Sequence, residues 1–321
     1  MTSDDRAGRQ DESPSIEILP KHKNANNQVI QILREARLQF RTVANERFGI
    51  LGLSIVAFFL ILGLVGPMIA PYEPDAKFAN EDGTLMRFSE PSADHPFGTT
   101  ALGRDVFSQT LVSARVSIII GLIGAAISIF IGTTVGIVSA YYGGWVDDAL
   151  MRFTDIMYGI PFLPFIIVMV LMIGPGLFNI IIAISLILWR STARVVRSQV
   201  LSIKERPYIE AAHAVGVSDT RMILRHLLPN VLPLVTLYGA FNVATSILTE
   251  ASIAFLGFGD PTRISWGKML FQAYTASAMR TAWWWVLPPG IAITLLVIAV
   301  FMIARAYEAV TNPDLQQVAE G

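Results

Sequence analysis

Long apolar stretches with almost no charged side chains are the feature that most limits how this chain can fold. They cover residues 48–70, 116–146, 156–189, 231–257 and 282–304, and Glu250 is the only charged residue within them. A helix needs about 20 apolar residues to cross a bilayer, and each stretch reaches that length. Charged residues make up only 15% of the 321 residues, whereas a soluble domain carries about 25%. The chain is therefore predicted to be a polytopic membrane protein of the all-α class.

The stretch 156–189 is long enough for two crossings, which brings the predicted number of spans to six. Gly174-Pro175-Gly176 divides it with a tight turn. Pro161 and Pro164 are expected to bend the third span, because proline interrupts helix hydrogen bonding. The predicted fold is a six-helix transmembrane bundle.

Small residues punctuate the second apolar stretch. Gly132 and Gly136 form a GxxxG pattern, which lets membrane helices approach closely. The pattern is compatible with packing inside one bundle or with a seam between two copies, and packing inside the bundle is favoured.

The distribution of lysine and arginine predicts which side of the membrane each loop occupies. With six spans, both termini, the 146–155 link and the 190–229 loop share one side, which holds 17 of the 24 basic residues. The positive-inside rule places that side in the cytoplasm. The 258–280 segment disagrees, because it is net basic although it is assigned to the outside.

The remaining segments give the expected domain organisation. Residues 1–27 have the composition of a disordered cytoplasmic tail. Residues 28–47 have the apolar periodicity of an amphipathic interfacial helix. We expect the first span and an extracytoplasmic loop over 48–111, a transmembrane domain over 112–309, and a cytoplasmic C-terminal tail over 310–321.

A polar segment, residues 206–230, interrupts the apolar pattern on the predicted cytoplasmic side. Pro207 suits the first turn of a short helix, and Gly216 can adopt the left-handed conformation that ends one. A second short helix is expected to follow and to stop at Leu228-Pro229. Such a compact helical pair between membrane spans predicts docking to something outside the bilayer.

Most familiar catalytic patterns are missing from the sequence. It contains no phosphate-binding GxxxxGK[ST] loop, no HExxH, no GxSxG and no cysteine. If the protein uses energy, another chain is expected to supply it. The histidines are expected to be surface, loop or packing residues.

Only two acids are candidates for ion coupling within the membrane. Asp155 is expected at an interface, whereas Glu250 lies about 30 Å along its span from the cytoplasmic end. For Glu250, a hydrogen bond into the following loop and a gate or substrate role remain equally open.

The 206–230 segment resembles the EAA loop of the permease subunits of ABC importers. The shared pattern is Glu210-Ala211-Ala212, Gly216 four residues later, and Leu228-Pro229, with His226 where the pattern has isoleucine. The resemblance implies that Glu210, Ala211, Ala212, Gly216, Leu228 and Pro229 form coupling helices that contact a cytoplasmic ATPase.

Further motifs resemble the C-type permeases of dipeptide, oligopeptide and nickel importers. The resemblance covers about residues 45–313 and includes the motifs HPFGTT, LGRDV, SARVS, EAS, FLG and SWG. It implies the type I importer permease fold in the inner membrane. It also implies three kinds of protein partner: a homologous second permease, two ATPases that bind ATP and magnesium, and an outer solute-binding protein.

Within this resemblance, Glu250 and Ser252 of the EAS motif are assigned to an outer gate or the substrate path. The chain itself is expected to hold no cofactor or metal and to contact membrane lipid but no nucleic acid. Peptides are the default substrate, while nickel chelates, glutathione, opines and oligosaccharides stay open. An ion-coupled carrier and a non-transporting scaffold are the alternatives from other classes.

Overall fold

The computed structural model describes residues 43–44 and 46–311, with side chains as far as residue 309. The predicted N-terminal tail, nearly all of the predicted interfacial helix, and residues 312–321 lie outside the described part. The described residues form helices joined by loops, with two isolated β-bridges in the loop before the second helix. The helices are α1 (Arg47–Ile69), α2 (Val106–Tyr142), α3 (Gly144–Gly159), α4 (Phe162–Ile173), α5 (Leu177–Lys204), α6 (Pro207–Ala214), α7 (Asp219–Met222), α8 (Leu228–Phe255), α9 (Trp266–Thr275) and α10 (Trp283–Thr311).

Five of the helical segments are long and apolar enough to cross a membrane. They are α1, α2, α5, the continuous segment from α7 through α8, and α10. The remaining predicted span, the third in chain order, corresponds to the pair α3 and α4, which meet at an angle of 93°. The all-helical, multi-pass expectation is therefore confirmed, with five straight candidate spans and one broken pair.

The break between α3 and α4 has a local cause in the sequence. Pro161 has no N–H to donate, and the residue before a proline is pushed out of the helical region. Ile160 is accordingly extended, with φ −83° and ψ 127°. Pro164 falls within the first turn of α4, where its missing N–H would have had no partner, and the helix continues through it. Pro161 thus bends the chain as predicted, and Pro164 does not.

Helix α2 starts earlier than its apolar stretch suggested. The polar loop was expected to continue to residue 111, but α2 begins at Val106. Asp105 caps it, because its side chain accepts a hydrogen bond from the Ser108 backbone N–H at 2.7 Å. This cap outweighs the polar character of the first turns, and the 70–105 loop is shorter than predicted.

Helix α2 packs along α5 through the GxxxG pattern. A Cβ atom on Gly132 would lie 2.5 Å from the Trp189 carbonyl oxygen, and one on Gly136 would lie 2.6 Å from the Ala193 carbonyl oxygen. Both glycines therefore let the α5 backbone approach closely. Packing inside one bundle, the favoured interpretation of this pattern, is what the structure contains.

The remaining spans surround this central pair. Helix α8 packs against α2 and α5, while α1 packs against α2 and α10. Helix α1 is the least enclosed candidate span, with 22% of its most apolar window buried. The side chains of Phe58, Leu64 and Met68 point away from the bundle and are exposed.

Candidate functional site

The 206–230 segment begins as the sequence predicted, with a short helix that ends at a glycine. Pro207 occupies the first turn of α6. Gly216 has a φ of +77°, and its N–H donates to the His213 carbonyl oxygen at 2.9 Å. The Val217 N–H donates to the Ala212 carbonyl oxygen at 3.1 Å, so backbone hydrogen bonds close the C-terminal end of α6. Gly216 is therefore the point at which the segment reverses.

The second half of the segment differs from the prediction. Leu228-Pro229 does not stop the helix. Instead, α7 passes through a π-helical turn, Ile223–Leu227, directly into α8. Pro229 directly follows the π-helical turn, in which the Leu228 N–H donates to the carbonyl oxygen of Ile223, five residues back, so the regular α-helical bonding is already altered where the proline N–H is missing. The segment therefore turns at Gly216 and then continues without a break into the span α8.

One face of the segment is anchored in the bundle. Ile209, Met222 and Leu227 are fully buried and pack with Val200 and Ile203 of α5. This apolar anchor orients both halves of the segment relative to the spans.

Other side chains of the segment are exposed, and some of them are large and apolar. Val215 is 79% exposed and Tyr208 is 42% exposed, while Leu224, 58% exposed, lines an apolar groove together with Phe130 of α2. Glu210 and Ala211 of α6 are also exposed, and Ala212 is half-buried. Exposed apolar side chains on a segment anchored in the bundle are suited to binding another protein.

The end of α2 holds this segment through side-chain contacts that sequence reasoning missed. The Tyr141 hydroxyl donates to Asp219 Oδ1 at 2.8 Å, and the Tyr141 ring stacks on His213 with centroids 6.1 Å apart. Lys204 Nζ donates to the Tyr141 carbonyl oxygen at 2.8 Å. Tyr141 therefore contacts both short helices, one through its ring and one through its hydroxyl. The partners are far apart in sequence, and no spacing pattern signals the contact.

We expect Tyr141→Phe to loosen the segment without unfolding the bundle. It removes the hydroxyl donor but keeps the ring on His213, and the loss of such a bond costs about 1 kcal/mol. Hydrogen exchange of residues 207–222 should rise about fivefold relative to the wild-type chain, while exchange in α5 stays unchanged. Asp219→Asn retains an acceptor oxygen and is the matched control. Equal exchange in Tyr141→Phe and the wild-type chain would contradict the assignment.

Ion pairs fasten α3 to α5 on the same side of the bundle. Arg197 Nε donates to Asp147 Oδ1 at 2.6 Å, and Ser139 of α2 also donates to this carboxylate. Arg194 pairs with Asp155 and lies over the Tyr158 ring at 4.0 Å. Asp155 is thus paired and largely exposed, which agrees with an interface position.

The EAS motif lies on the opposite side of the bundle, between α8 and α9. Glu250 is buried, with Ser265 within hydrogen-bonding reach, and its Oε2 has no partner among the described residues. A Cβ atom on Gly267 would lie 2.5 Å from the Ala251 carbonyl oxygen, so α9 covers this part of α8 closely. The Ser252 hydroxyl donates to the Leu248 carbonyl oxygen and is partly exposed. The two residues proposed for the path therefore have different environments.

The HPFGTT and LGRDV motifs come together in the 70–105 loop. His95 Nδ1 lies 2.9 Å from Asp105 Oδ1, and both side chains are buried. The rings of Tyr72 and Phe78 enclose His95. The histidine was expected simply to occupy the loop, whereas it ties the loop to the start of α2.

Comparison with known proteins assigns this bundle to a family. The family described as "Binding-protein-dependent transport system inner membrane component" matches residues 132–316, and the "N-terminal TM domain of oligopeptide transport permease C" matches residues 34–91. The chain belongs to the first of these families and is a multi-pass permease subunit of ABC importers.

Individual relatives carry more specific names. The dipeptide transport system permease protein DppC of Alkalihalophilus pseudofirmus is 33% identical over 87% of this chain and 90% of its own length. The oligopeptide transport system permease protein OppC of Haemophilus influenzae is 35% identical over 84% of this chain and 88% of its own length. OppC of Bacillus subtilis is 34% identical over 75% of this chain and 76% of its own length.

A solved structure supports the fold. The MetNI methionine ABC transporter, in inward-facing conformations, includes a chain that aligns with a TM-score of 0.52 at 20% identity. The alignment covers 63% of this chain and 94% of that chain. The importer-permease fold expected from the sequence is therefore confirmed.

Proposed function

We propose that this chain is the permease subunit through which an ATP-driven importer moves dipeptides or oligopeptides into the cell. The peptide assignment is supported by the names of relatives that align over most of both chains. A homologous second permease would complete the path, and an extracytoplasmic solute-binding protein would deliver the peptide. Two partner ATPases would bind ATP and magnesium, and this chain would hold no cofactor of its own.

The 206–230 segment is proposed as the surface that the ATPases bind, which places it and both termini in the cytoplasm. The observation that carries this proposal is the exposure of Tyr208, Glu210 and Val215 on a segment that is anchored in the bundle and leads into α8. A force applied at α7 would reach the span through the π-helical turn, and the contacts of Tyr141 with His213 and Asp219 would link α6 to this path. Residues Glu250 and Ser252 would then lie on the far part of the same helix, near an outer gate or the substrate path.

The charge reversal Glu210→Lys tests the docking surface. We expect the ATPases to co-purify about tenfold less with this variant than with the wild-type chain, equivalent to about 1.4 kcal/mol at the contact. Asp148→Lys reverses an exposed acid outside the segment and should co-purify normally. Undiminished co-purification of the Glu210 variant would count against Glu210 as a contact.

Uptake measurements test the transport assignment itself. Cells lacking this chain should lose uptake of labelled dipeptides or oligopeptides and recover it on complementation. Loss of nickel-chelate, glutathione or oligosaccharide uptake, with peptide uptake intact, would reassign the substrate. Uptake that collapses with an uncoupler while ATP persists would instead indicate an ion-coupled carrier, and unchanged uptake of every substrate would favour a scaffold.

A further inference from the structure

A cavity of about 630 Å³ lies on the 70–105 side of the bundle, among α1, α2, α9 and the loop before α9. Its volume is within the range of about 300–1,000 Å³ typical of small-ligand sites. Four lining side chains are cationic, namely Arg104, Arg115, Arg263 and Lys268, and one, Asp75, is acidic. The cavity therefore carries excess positive charge.

The hydrogen bonds of these cations show which are available to a ligand. Lys268 Nζ donates to the carbonyl oxygens of Asp260, Pro261 and Arg263 at 2.7–3.0 Å, which uses all three of its donors. Its role is to hold the loop that carries Arg263. Burial lowers the pKa of Lys268, which is consistent with this enclosed position.

Arg104 is only partly satisfied. Its Nη1 pairs with Asp75 at 2.9 Å, but that carboxylate is 80% exposed, and the buried Arg104 Nε has no hydrogen-bond partner in the described part of the chain. An unpaired buried donor is unfavourable, so an acceptor bound at this position would be stabilising.

Arg115 and Arg263 have no carboxylate partner among residues 46–311. Burial opposes ionisation of the nearby Asp260, but its hydrogen bonds and the attraction of Arg263 outweigh burial and lower the pKa of this carboxyl. No ion pair within 4.0 Å joins the Asp260 and Arg263 side chains, and Asp260 accepts instead from the Leu177 N–H and from Thr262. Two guanidinium groups with no carboxylate partner within the described range therefore line one cavity. Each can hold an oxyanion through two N–H groups.

The depth of Arg115 in the membrane limits how its charge can be stabilised. A Cβ atom on Gly63 of α1 would lie 3.5 Å from Arg115 Cα, so the two residues are level. Gly63 precedes the end of α1 by six residues, or about 9 Å along the axis. An exposed arginine at that depth is costly unless it meets an anion or water, and its long stem lets the charged group reach the headgroup layer.

We propose that this cavity binds a single oxyanion, supplied by the headgroup phosphate of an anionic phospholipid. Arg115 and Arg263 hold the phosphate, and the Arg104 Nε–H donates a hydrogen bond to it. Pro67 at the end of α1 lines the cavity, and the neighbouring Met68 is 84% exposed, so the cavity adjoins the most lipid-accessible helix. Val112, Val116 and Ile264 provide apolar wall for the lipid's upper acyl carbons.

Native mass spectrometry of the full-length chain in neutral detergent tests this site. With equal amounts of phosphatidylglycerol and phosphatidylcholine, the wild-type chain should retain one phosphatidylglycerol molecule preferentially. The double variant Arg115→Gln/Arg263→Gln should retain it about tenfold more weakly. The Arg115→Lys/Arg263→Lys chain keeps both positive charges and should retain phosphatidylglycerol at an intermediate level. Such retention would show that substitution at these two positions leaves the fold intact.

Arg280→Gln is the matched control, since it removes an exposed positive charge on the same predicted side but outside the cavity. Soluble glycerol phosphate should compete with the lipid. A different outcome is that glycerol phosphate binds with the same dependence on Arg115 and Arg263 while no lipid adduct forms. That result would support the oxyanion site but show that its ligand is a soluble phosphate and not a lipid headgroup. Failure of both probes, or equal losses in Arg280→Gln and the double variant, would overturn the proposal.

Discussion

Replacing Gly216 by proline is expected to abolish transport while the chain still inserts in the membrane. Gly216 has a φ of +77°, whereas proline is held at about −65°, and the change also removes the N–H that donates to His213. The end of α6 would therefore have to rearrange, and the proposed docking face would move relative to α8. In proteoliposomes of the assembled importer, uptake should fall more than about tenfold while ATP hydrolysis continues.

Gly216→Ala provides a graded version of the same test. A Cβ at this position meets no atom within 4 Å, so the cost is conformational and amounts to about 1–2 kcal/mol. Gly83 is the matched control, because it has a φ of +79° and equally open surroundings, but lies in the 70–105 loop. Gly83→Ala should carry the same local strain without uncoupling. Normal uptake in Gly216→Pro would refute the coupling assignment.

A larger side chain at Ala212 is expected to displace the same surface by pushing on the buried side of α6. Ala212 is half-buried and packs against the apolar anchor that includes Ile209 and Met222. Ala212→Leu would lift α6 away from α5, so uptake should again fall more than ATP hydrolysis. Both variants act on the position of the segment and leave the spans unchanged.

Alanine at Gly132 and Gly136 is expected to have the largest effect on stability. The new methyl groups would lie 2.5 and 2.6 Å from carbonyl oxygens of α5, and backbone atoms cannot move aside as a flexible side chain can. Overpacking of this kind typically costs about 1–3 kcal/mol at each site. Thermal unfolding of the purified chain in detergent should therefore shift to lower temperature for each variant, and further for the double variant.

Gly290→Ala is the control for this experiment. Gly290 lies in the span α10, but a Cβ there meets no atom within 4 Å. Its unfolding temperature should stay at or slightly above that of the wild-type chain, because alanine is favoured over glycine by about 1 kcal/mol within a helix. Equal shifts to lower temperature in Gly290→Ala and Gly132→Ala would contradict close approach to α5 as the cause of the loss.

Patterns that act over a few residues were predicted well. Pro161 bends the third candidate span because its ring restricts Ile160 directly, and Gly216 reverses the chain because only a left-handed conformation closes α6 there. The predicted end at Leu228-Pro229 was wrong for a related reason. Proline within a helix usually interrupts its hydrogen bonding, but Pro229 directly follows a π-helical turn whose bonds reach five residues back, and this turn carries the helix from α7 into α8.

The amino-acid sequence by itself determined that this chain is a multi-pass helical membrane protein of the importer-permease family. Uncharged runs of membrane length and short motifs in fixed order depend only on neighbouring residues. Tertiary structure alone decided which distant side chains meet, such as Tyr141 with Asp219, His95 with Asp105, and Arg115 with the cavity beside α1. The physical reason is that such contacts depend on the relative rotation and depth of packed helices, and local sequence spacing encodes neither.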